Sequence, residues 1–141
     1  MIRKANRKDL PDVYRLICIL EEGKEPEFRA FQSIYEKMLS NEHYALLIAS
    51  QDDHILGFLD LRFEEQLHHG GAVAEILELV VDPAIRSMGI GKTLLEAARQ
   101  EARDHSCQLI ECSSDAKRKR AHAFYERNGM ICDHLKFAQK F

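Results

Sequence analysis

One stretch of the sequence decides the fold of this chain: LVVDPAIRSMGIGKT, which runs from Leu79 to Thr93. It begins as an apolar strand that ends at Asp82, and after a turn Gly89 and Gly91 open a helix. The first amide groups of a helix have no partner within it, and the helix dipole makes that end positive, so a phosphate is attracted there. Glycine lacks a Cβ, so a bulky anion can approach this backbone closely. The stretch therefore predicts a phosphate cradle between a strand and a helix.

Three phosphate-binding motifs can be compared with this stretch. A P-loop reads GxxxxGK[ST]; residues 91–93 match its end, but Arg86 stands where its first glycine belongs. A dinucleotide fingerprint needs a third glycine where Leu94 stands, and an acidic ribose partner further on, and both requirements fail. The third pattern, Arg/Gln-x-x-Gly-x-Gly/Ala after a strand that ends in Asp-Pro, fits without exception. The alternative for so short a motif is a structural turn that binds nothing.

The rest of the chain predicts helices and strands around this stretch. Helices are expected where apolar residues recur at helical spacing, and strands where short apolar runs end at turn residues. Asn6 followed by Asp9 is a capping-box-like helix start, and Asn128 with Gly129 is a helix end. The expected helices are 10–20, 28–38, 89–104 and 116–127. The expected strands are 1–5, 44–50, 55–63, 74–81 and 107–112, with one or two more within 130–140.

This order of elements and the composition indicate one ordinary globular domain over residues 1–141. The elements predict an α/β (α+β) fold, a mixed sheet with helices on its faces. The chain is 45% apolar and 30% charged, with a net charge of −3, which argues against a nucleic-acid binder. The four cysteines form no CxxC pair, and neither an N-terminal signal nor a membrane-length apolar run is present. We therefore expect a cytoplasmic protein that binds neither nucleic acid nor membrane.

Two motifs and the order of elements resemble the GNAT superfamily of N-acetyltransferases. RSMGIG at 86–91 is similar to that superfamily's pyrophosphate-binding motif, and AFYERNGM at 123–130 is similar to its second signature. The likeness covers nearly the whole chain. It implies a mixed, mostly antiparallel sheet whose central strands splay apart at a bulge, with helices on both faces. It also implies acetyl-CoA as the co-substrate.

The resemblance implies CoA contacts residue by residue. Pantetheine enters the gap between the splayed strands, which implies main-chain contacts from Leu79 and Val81. Arg118 departs from the pattern, because the superfamily often has an asparagine at that place. The implied cofactor-binding residues are Leu79, Val80, Val81, Arg86, Ser87, Met88, Gly89, Ile90, Gly91, Lys92, Thr93 and Arg118.

Acetyl transfer to an amine needs a base for the ammonium proton, a donor for the oxyanion and an acid for the leaving thiolate. Glu75 is the candidate base and Glu78 the runner-up, and the backbone N–H of Leu79 is the candidate oxyanion donor. The resemblance implies Tyr125 as the acid, because a phenol keeps its proton at pH 7. From spacing alone, Tyr125 reads as a core residue and either glutamate as a solvated strand edge.

Within the superfamily, the sequence is similar to aminoalkylphosphonate N-acetyltransferases. The shared segments are 13–20, 67–69, 75–81 and 121–125. They imply a small primary amine, with an anionic phosphonate tail as one option. No metal site is assigned, although His68 and His69 with Glu75 offer donors for a divalent metal; the alternative is a surface loop. The basic run 117–120 is either a solvated helix start or a phosphate contact.

Other acceptors and other functions stay open at this point. Polyamines, aminoglycosides and proteins are alternative amine acceptors. A non-catalytic acyl-CoA-binding regulatory module is an alternative to an enzyme, and a nucleoside triphosphate binder built on residues 91–93 is a third hypothesis. A homodimer is common for the fold that the resemblance implies.

Overall fold

The computed structural model describes residues 1–86 and 88–141, and these residues form five strands and four helices. The strands are β1 (Ile2–Lys4), β2 (Tyr44–Gln51), β3 (His54–Gln66), β4 (Gly71–Val81) and β5 (Ile110–Cys112). The helices are α1 (Leu10–Leu20), α2 (Phe28–Leu39), α3 (Ile90–Asp104) and α4 (Lys119–Arg127). The chain divides into two units, Met1–Glu111 and Cys112–Phe141. In the described residues, no helix is both long and apolar enough to cross a membrane.

The sheet is mixed, as the sequence predicts. Its strand order is β1-β2-β3-β4-β5, and β1 to β4 pair antiparallel. Two hydrogen bonds join β4 to the residues just before β5: Gln108 N donates to Ala72 O at 2.9 Å, and Ala74 N donates to Leu109 O at 3.0 Å. These two bonds advance in the same direction along both segments, which is the pattern of a parallel pair.

Helices cover both faces of the sheet. Phe58 of β3 and Val80 of β4 belong to a buried cluster with α1 and α2, which includes Leu16 and Tyr35. The other face of β3 meets α3, because a Cβ on Gly57 would lie 2.9 Å from Leu94 Cδ1. Side chains alternate along a strand, so even-numbered residues at the centre of β3 face α1 and α2, and odd-numbered residues face α3.

The predicted capping box is present, and it begins a 3₁₀ turn (Arg7–Asp9) that leads directly into α1. Asn6 Oδ1 accepts the N–H of Lys8 at 2.9 Å, and Asp9 Oδ2 accepts the N–H of Asn6 at 2.8 Å, which completes a capping box. Arg3 of β1 donates to both oxygens of Asp9, at 2.7 and 2.8 Å. This bidentate ion pair ties the helix start to the edge strand.

Strands β3 and β4 are longer than the sequence predicts. Their ladder continues from Phe63 and Ala74 out to Gln66 and Gly71, beyond the expected ends at 63 and 74. Each strand supplies the backbone partner of the other, so pairing extends them past the apolar pattern that marks them in the sequence. β5 is shorter than expected, because it begins at Ile110 rather than at residue 107.

The second unit corrects one prediction. Helix α4 ends as expected: Gly129 has φ 89°, and Met130 N donates to Tyr125 O at 3.0 Å. The strands expected within 130–140 are wrong, since these residues form neither helix nor strand. Within Cys112–Phe141 the remaining elements are α4 and the last residue of β5. That unit therefore offers no strand with which residues 130–140 can pair, and their apolar alternation alone forms no ladder.

Gly57 sets how closely α3 approaches the sheet. A Cβ at this position would lie 2.9 Å from Leu94 Cδ1, 3.2 Å from the Val80 carbonyl oxygen and 3.3 Å from Ile90 Cγ2. We predict that Gly57→Ala lowers the free energy of unfolding by about 1–3 kcal/mol, the usual cost of overpacking. Urea unfolding measures this change.

The matched control is a double-mutant cycle with Leu94→Ala, which removes the nearest of the three atoms. The penalty of Gly57→Ala should be smaller in the Leu94→Ala background. An equal penalty in both backgrounds would show that contact with Leu94 is not its cause.

Candidate active site

The turn between β4 and α3 is fixed by the carboxylate of Asp82. Asp82 Oδ1 accepts the N–H of Ala84 at 3.0 Å, and Oδ2 accepts from Arg15 Nη1 at 2.9 Å. Its own N–H donates to Leu56 O at 2.8 Å. The hydrogen bond from Ala84, and then that from Arg15, hold the pKa of Asp82 below its usual value. The charged carboxylate therefore joins the turn to α1, and the main-chain N–H of Asp82 joins it to β3.

The start of α3 leaves amide groups open, as the phosphate cradle requires. Gly89 is the N-cap residue in the left-handed region, with φ 78°, and no described side chain caps the helix. Its carbonyl accepts the N–H of Thr93 at 3.0 Å and the Thr93 hydroxyl at 2.9 Å. The amides before Thr93, those of Ile90, Gly91 and Lys92, precede the first bond of the helix and are donors for an anion.

The side chains around this helix start add positive charge. Arg86 and Lys92 are exposed, and so is Met88. Ser87, which the sequence also predicts as a cofactor contact, lies outside the described residues. Exposed cations beside open amides form an arrangement that can hold a diphosphate.

Strand β4 contains the bulge that the resemblance implies. Glu78 is opposite Asp60 and Ile76 is opposite Leu61, so Leu77 is an extra residue that pairs with no residue of β3. The N–H of Glu78 donates to the side-chain Oδ1 of Asp60 at 2.8 Å. The bulge is thus held by a buried carboxyl group.

Two residues of β4 beyond the bulge, Leu79 and Val81, direct their main-chain N–H and C=O groups away from β3. Asp82 N donates to Leu56 O of β3, and in an antiparallel ladder the alternate residues have their main-chain groups on the other edge of the strand. This is the orientation that main-chain contacts to a pantetheine arm need. Val80 has a buried side chain in the α1/α2 cluster.

The bulge puts both candidate bases on one face of the sheet. Glu75 is opposite Arg62, and Glu78 is opposite Asp60. Arg62 and Asp60 alternate with Leu61, so they share the face that α1 and α2 cover. A simple alternation along β4 would have separated the two glutamates. The extra residue, Leu77, brings them to the same face.

The two glutamates have different partners. Glu75 Oε2 accepts from Arg62 Nη2 at 2.9 Å, which is an ion pair at the strand surface. Glu78 lies against Asp60, whose side chain is 3% exposed. Burial, and then the hydrogen bond and negative charge of Glu78, raise the pKa of Asp60 well above its usual value.

Sequence reasoning did not single out Asp60 and Arg62. The signal was present, because the apolar run ILGFLDLRF at 55–63 contains two charged residues at even positions. A charge within a buried strand needs a partner, so such a position is a candidate for a site. The partners themselves follow only from the register of β3 against β4.

A cleft of ≈ 470 Å³ opens beside Arg62. Arg62 Nε is buried and has no hydrogen-bond partner among the described residues, although Glu64 Oε1 lies 4.0 Å away. Charges of both signs line the cleft, so it is suited to a small polar ligand that is itself charged. Its lining residues are Asn41, His43, Tyr44, Arg62, Phe63, Glu64, Glu65 and Ala72.

Tyr125 and Arg118 belong to the second unit. Burial, and then the Cys112 thiol, raise the pKa of Tyr125, whereas the charge of Arg118 lowers it. The net rise keeps this phenol protonated well past neutral pH, as a proton donor requires. Arg118 is the residue before α4, and its N–H donates to Asp115 O at 3.0 Å.

The histidine pair is not part of a metal cluster in the described part of the chain. His68 and His69 lie in a short 3₁₀ turn after β3, with ring centroids 4.2 Å apart. Glu75, the third donor suggested by the sequence, is engaged by Arg62. Across residues 1–86 and 88–141, no group of three or more His, Cys, Asp or Glu side chains is arranged to hold a metal ion.

Comparison with known proteins agrees with this geometry. The Acetyltransferase (GNAT) family profile matches residues 8–130. An aminoalkylphosphonate N-acetyltransferase of Salmonella typhimurium is 37% identical over 140 residues, which is 98% of this chain and 89% of that protein.

Two solved structures show the same fold. A protein described as a transcriptional regulator from Bacillus halodurans has a TM-score of 0.93 at 26% identity, covering 100% of this chain and 99% of its own. An aminoglycoside N-acetyltransferase in complex with CoA has a TM-score of 0.87 at 22% identity, and the match covers 99% of this chain and 93% of that chain. The family profile, the full-length relative and the open helix start after β4 agree. The chain therefore belongs to the GNAT family of acetyltransferases and is an acetyl-CoA-dependent N-acetyltransferase.

Proposed function

We propose that this enzyme acetylates the primary amine of a small molecule that carries an anionic tail, of the aminoalkylphosphonate class. The observation that carries the proposal is the mixed charge around the cleft beside Arg62. Arg62 and His43 of this cleft suit a phosphonate, and Glu78 at the bulge, which is the proposed base, suits the ammonium group. The Salmonella relative, named for that substrate class, supports the same acceptor.

Acetyl-CoA is proposed to bind with its pyrophosphate on the open amides at the start of α3. Arg86 and Lys92 supply charge from the exposed side, and the Gly89 conformation keeps the helix start uncapped. The main chain of Leu79 and Val81 is proposed to hold the pantetheine arm. The other predicted contacts, from Val80, Met88, Ile90, Gly91, Thr93 and Arg118, are proposed on their places along the same two motifs.

The reaction is proposed as direct attack in a ternary complex. An alkyl ammonium has a pKa near 10.4, so deprotonation at pH 7 costs about 4–5 kcal/mol, and a carboxylate accepts that proton. The amine nitrogen then attacks the acetyl carbonyl carbon, and the N–H of Leu79 donates to the oxyanion. As the C–S bond breaks, Tyr125 donates a hydrogen bond to the departing thiolate, and the nitrogen releases its second proton to water to give the neutral amide.

The contacts support Glu78 over Glu75 as the base. Glu75 Oε2 is already engaged by the Arg62 guanidinium at 2.9 Å. Glu78 sits at the bulge, next to Leu79, whose N–H is the proposed oxyanion donor. Base and oxyanion donor would then be adjacent residues of one strand.

We further propose that residues 1–141 act as one N-acetyltransferase domain in the cytoplasm. The family profile runs across the boundary between the two units, which supports one domain. The cysteines are thiols, which supports a reducing compartment. A homodimer remains a prediction, to be checked by analytical ultracentrifugation.

The enzyme should release CoA, a free thiol, from acetyl-CoA when its amine substrate is present. We expect the highest kcat/KM with aminoalkylphosphonates, against a panel that also contains polyamines, aminoglycosides and peptides. Thiol release with 5,5′-dithiobis(nitrobenzoate) measures turnover, with and without a divalent metal. Thermal stabilisation by CoA with no turnover on any amine would indicate a regulatory acyl-CoA-binding module instead.

Replacement of Tyr125 by phenylalanine should lower kcat and leave the affinity for acetyl-CoA almost unchanged. The ring still packs, but the proton donor for the thiolate is lost, so we expect a loss of about tenfold to a hundredfold. Steady-state kinetics and calorimetric titration with CoA separate the two effects. A large loss of CoA affinity with unchanged kcat would make Tyr125 a packing residue.

A further inference from the structure

The centre of the sheet contains a carboxyl group with almost no access to water. Asp60 is 3% exposed, and its neighbour across β2 on the same face is Leu46, also buried. The core-facing side chains of α1 and α2 on this face are apolar except Tyr35, whose hydroxyl donates to Asn6 O at 2.6 Å. On the other side of β3, Asp60 lies opposite the polar residue Glu78 of β4.

The buried contacts of this pair favour an additional proton. Asp60 Oδ1 accepts the main-chain N–H of Glu78 at 2.8 Å, and the two residues lie opposite each other in the ladder. Glu78 Oε2 is buried and has no donor among the described residues. Two carboxylates have no donor between them, so a hydrogen bond between the side chains needs one proton. A single proton satisfies Glu78 Oε2 and removes one buried charge.

We propose that Asp60 holds this proton and donates it to the Glu78 carboxylate, and that Asp60 thereby positions both the β4 bulge and the base for amine deprotonation. Asp60 does not touch the substrate in this scheme, so it is a positioning residue. The catalytic part of the inference rests on the proposed function. The shared proton does not, because it follows from the buried contacts of Asp60 and Glu78 alone.

The other charged groups on this face already have partners. Arg62, the next even residue of β3, pairs with Glu75 at 2.9 Å. Arg15 of α1 pairs with Asp82 at 2.9 Å, away from the bulge. Arg62 lies nearest along the strand and its charge is balanced by Glu75, so a proton is the remaining means of neutralising Asp60.

The first test compares two substitutions of Asp60. Asp60→Asn keeps an acceptor for the Glu78 N–H and supplies an N–H donor for the Glu78 carboxylate, so it imitates the protonated acid. We expect Asp60→Asn to keep kcat within about threefold, and Asp60→Ala to lower kcat by at least about thirtyfold, with the KM for acetyl-CoA unchanged in both. Asp53→Asn, in the β2–β3 turn, is the control for removal of one carboxylate.

The pH profile distinguishes positioning from a purely structural role. In the wild type, kcat/KM should fall as pH rises through the folded-state pKa of Asp60 and the shared proton is lost, because two buried carboxylates then repel. That fall should be absent in Asp60→Asn, and Glu78→Gln should abolish most turnover at every pH. Equal kcat and equal profiles for the wild type, Asp60→Asn and Asp60→Ala would overturn the positioning role.

The second test needs no substrate. A raised pKa in the folded state means that the protonated Asp60 stabilises the fold below the unfolded-state pKa, near 3.9, and that this stabilisation is lost as pH rises through the folded-state pKa. The free energy of unfolding should therefore fall more steeply with rising pH in the wild type than in Asp60→Asn. Identical slopes would overturn the shared proton. Absence of turnover on every amine would defeat the proposed function, while this comparison would still decide the state of the pair.

Discussion

The open amides at the start of α3 are the constraint around which this structure is arranged. They lie after Gly89, which adopts a left-handed conformation and offers no capping side chain. The helix behind them packs on β3 at Gly57, where no side chain separates the two elements. The turn in front of them is held by Asp82, which bonds Ala84 and Arg15. Asp82 and Ala84 on one side and α3 on the other are therefore held in place before any ligand arrives, which lowers the entropic cost of binding.

Strand β4 connects the start of α3 to the candidate catalytic glutamates. It carries the acidic side chains on the α1/α2 face and runs through Asp82 into the turn before α3. One extra residue, Leu77, changes which face the glutamates occupy. The bulge therefore does more than bend the strand. It places Glu75 and Glu78 on the same face of the sheet, where Glu75 lies opposite Arg62 and Glu78 lies opposite Asp60. Glu75 is engaged by the Arg62 guanidinium, whereas Glu78 lies opposite the buried Asp60, so two similar side chains have different surroundings.

The features predicted from the sequence are those that local patterns encode. The capping box at Asn6, the stripe that defines α3 and the helix end at Asn128 and Gly129 each depend on a few neighbouring residues. The full lengths of β3 and β4 depend on cross-strand pairing, which the apolar pattern does not show. The partners of Asp60 and Glu75 depend on register, and a single extra residue shifts that register. The segment 130–140 shows the reverse error, because its apolar alternation is strand-like and yet it forms no strand.

The most direct measurement is a calorimetric comparison of CoA with pantetheine, which lacks the pyrophosphate and the nucleotide. If the amides of α3 bind the pyrophosphate, CoA should bind about a hundredfold tighter at low salt, or about 2.8 kcal/mol, a range that two charge-assisted hydrogen bonds can supply. The advantage should shrink as salt screens the exposed charges of Arg86 and Lys92. Equal affinities for the two ligands, at any salt concentration, would contradict the account.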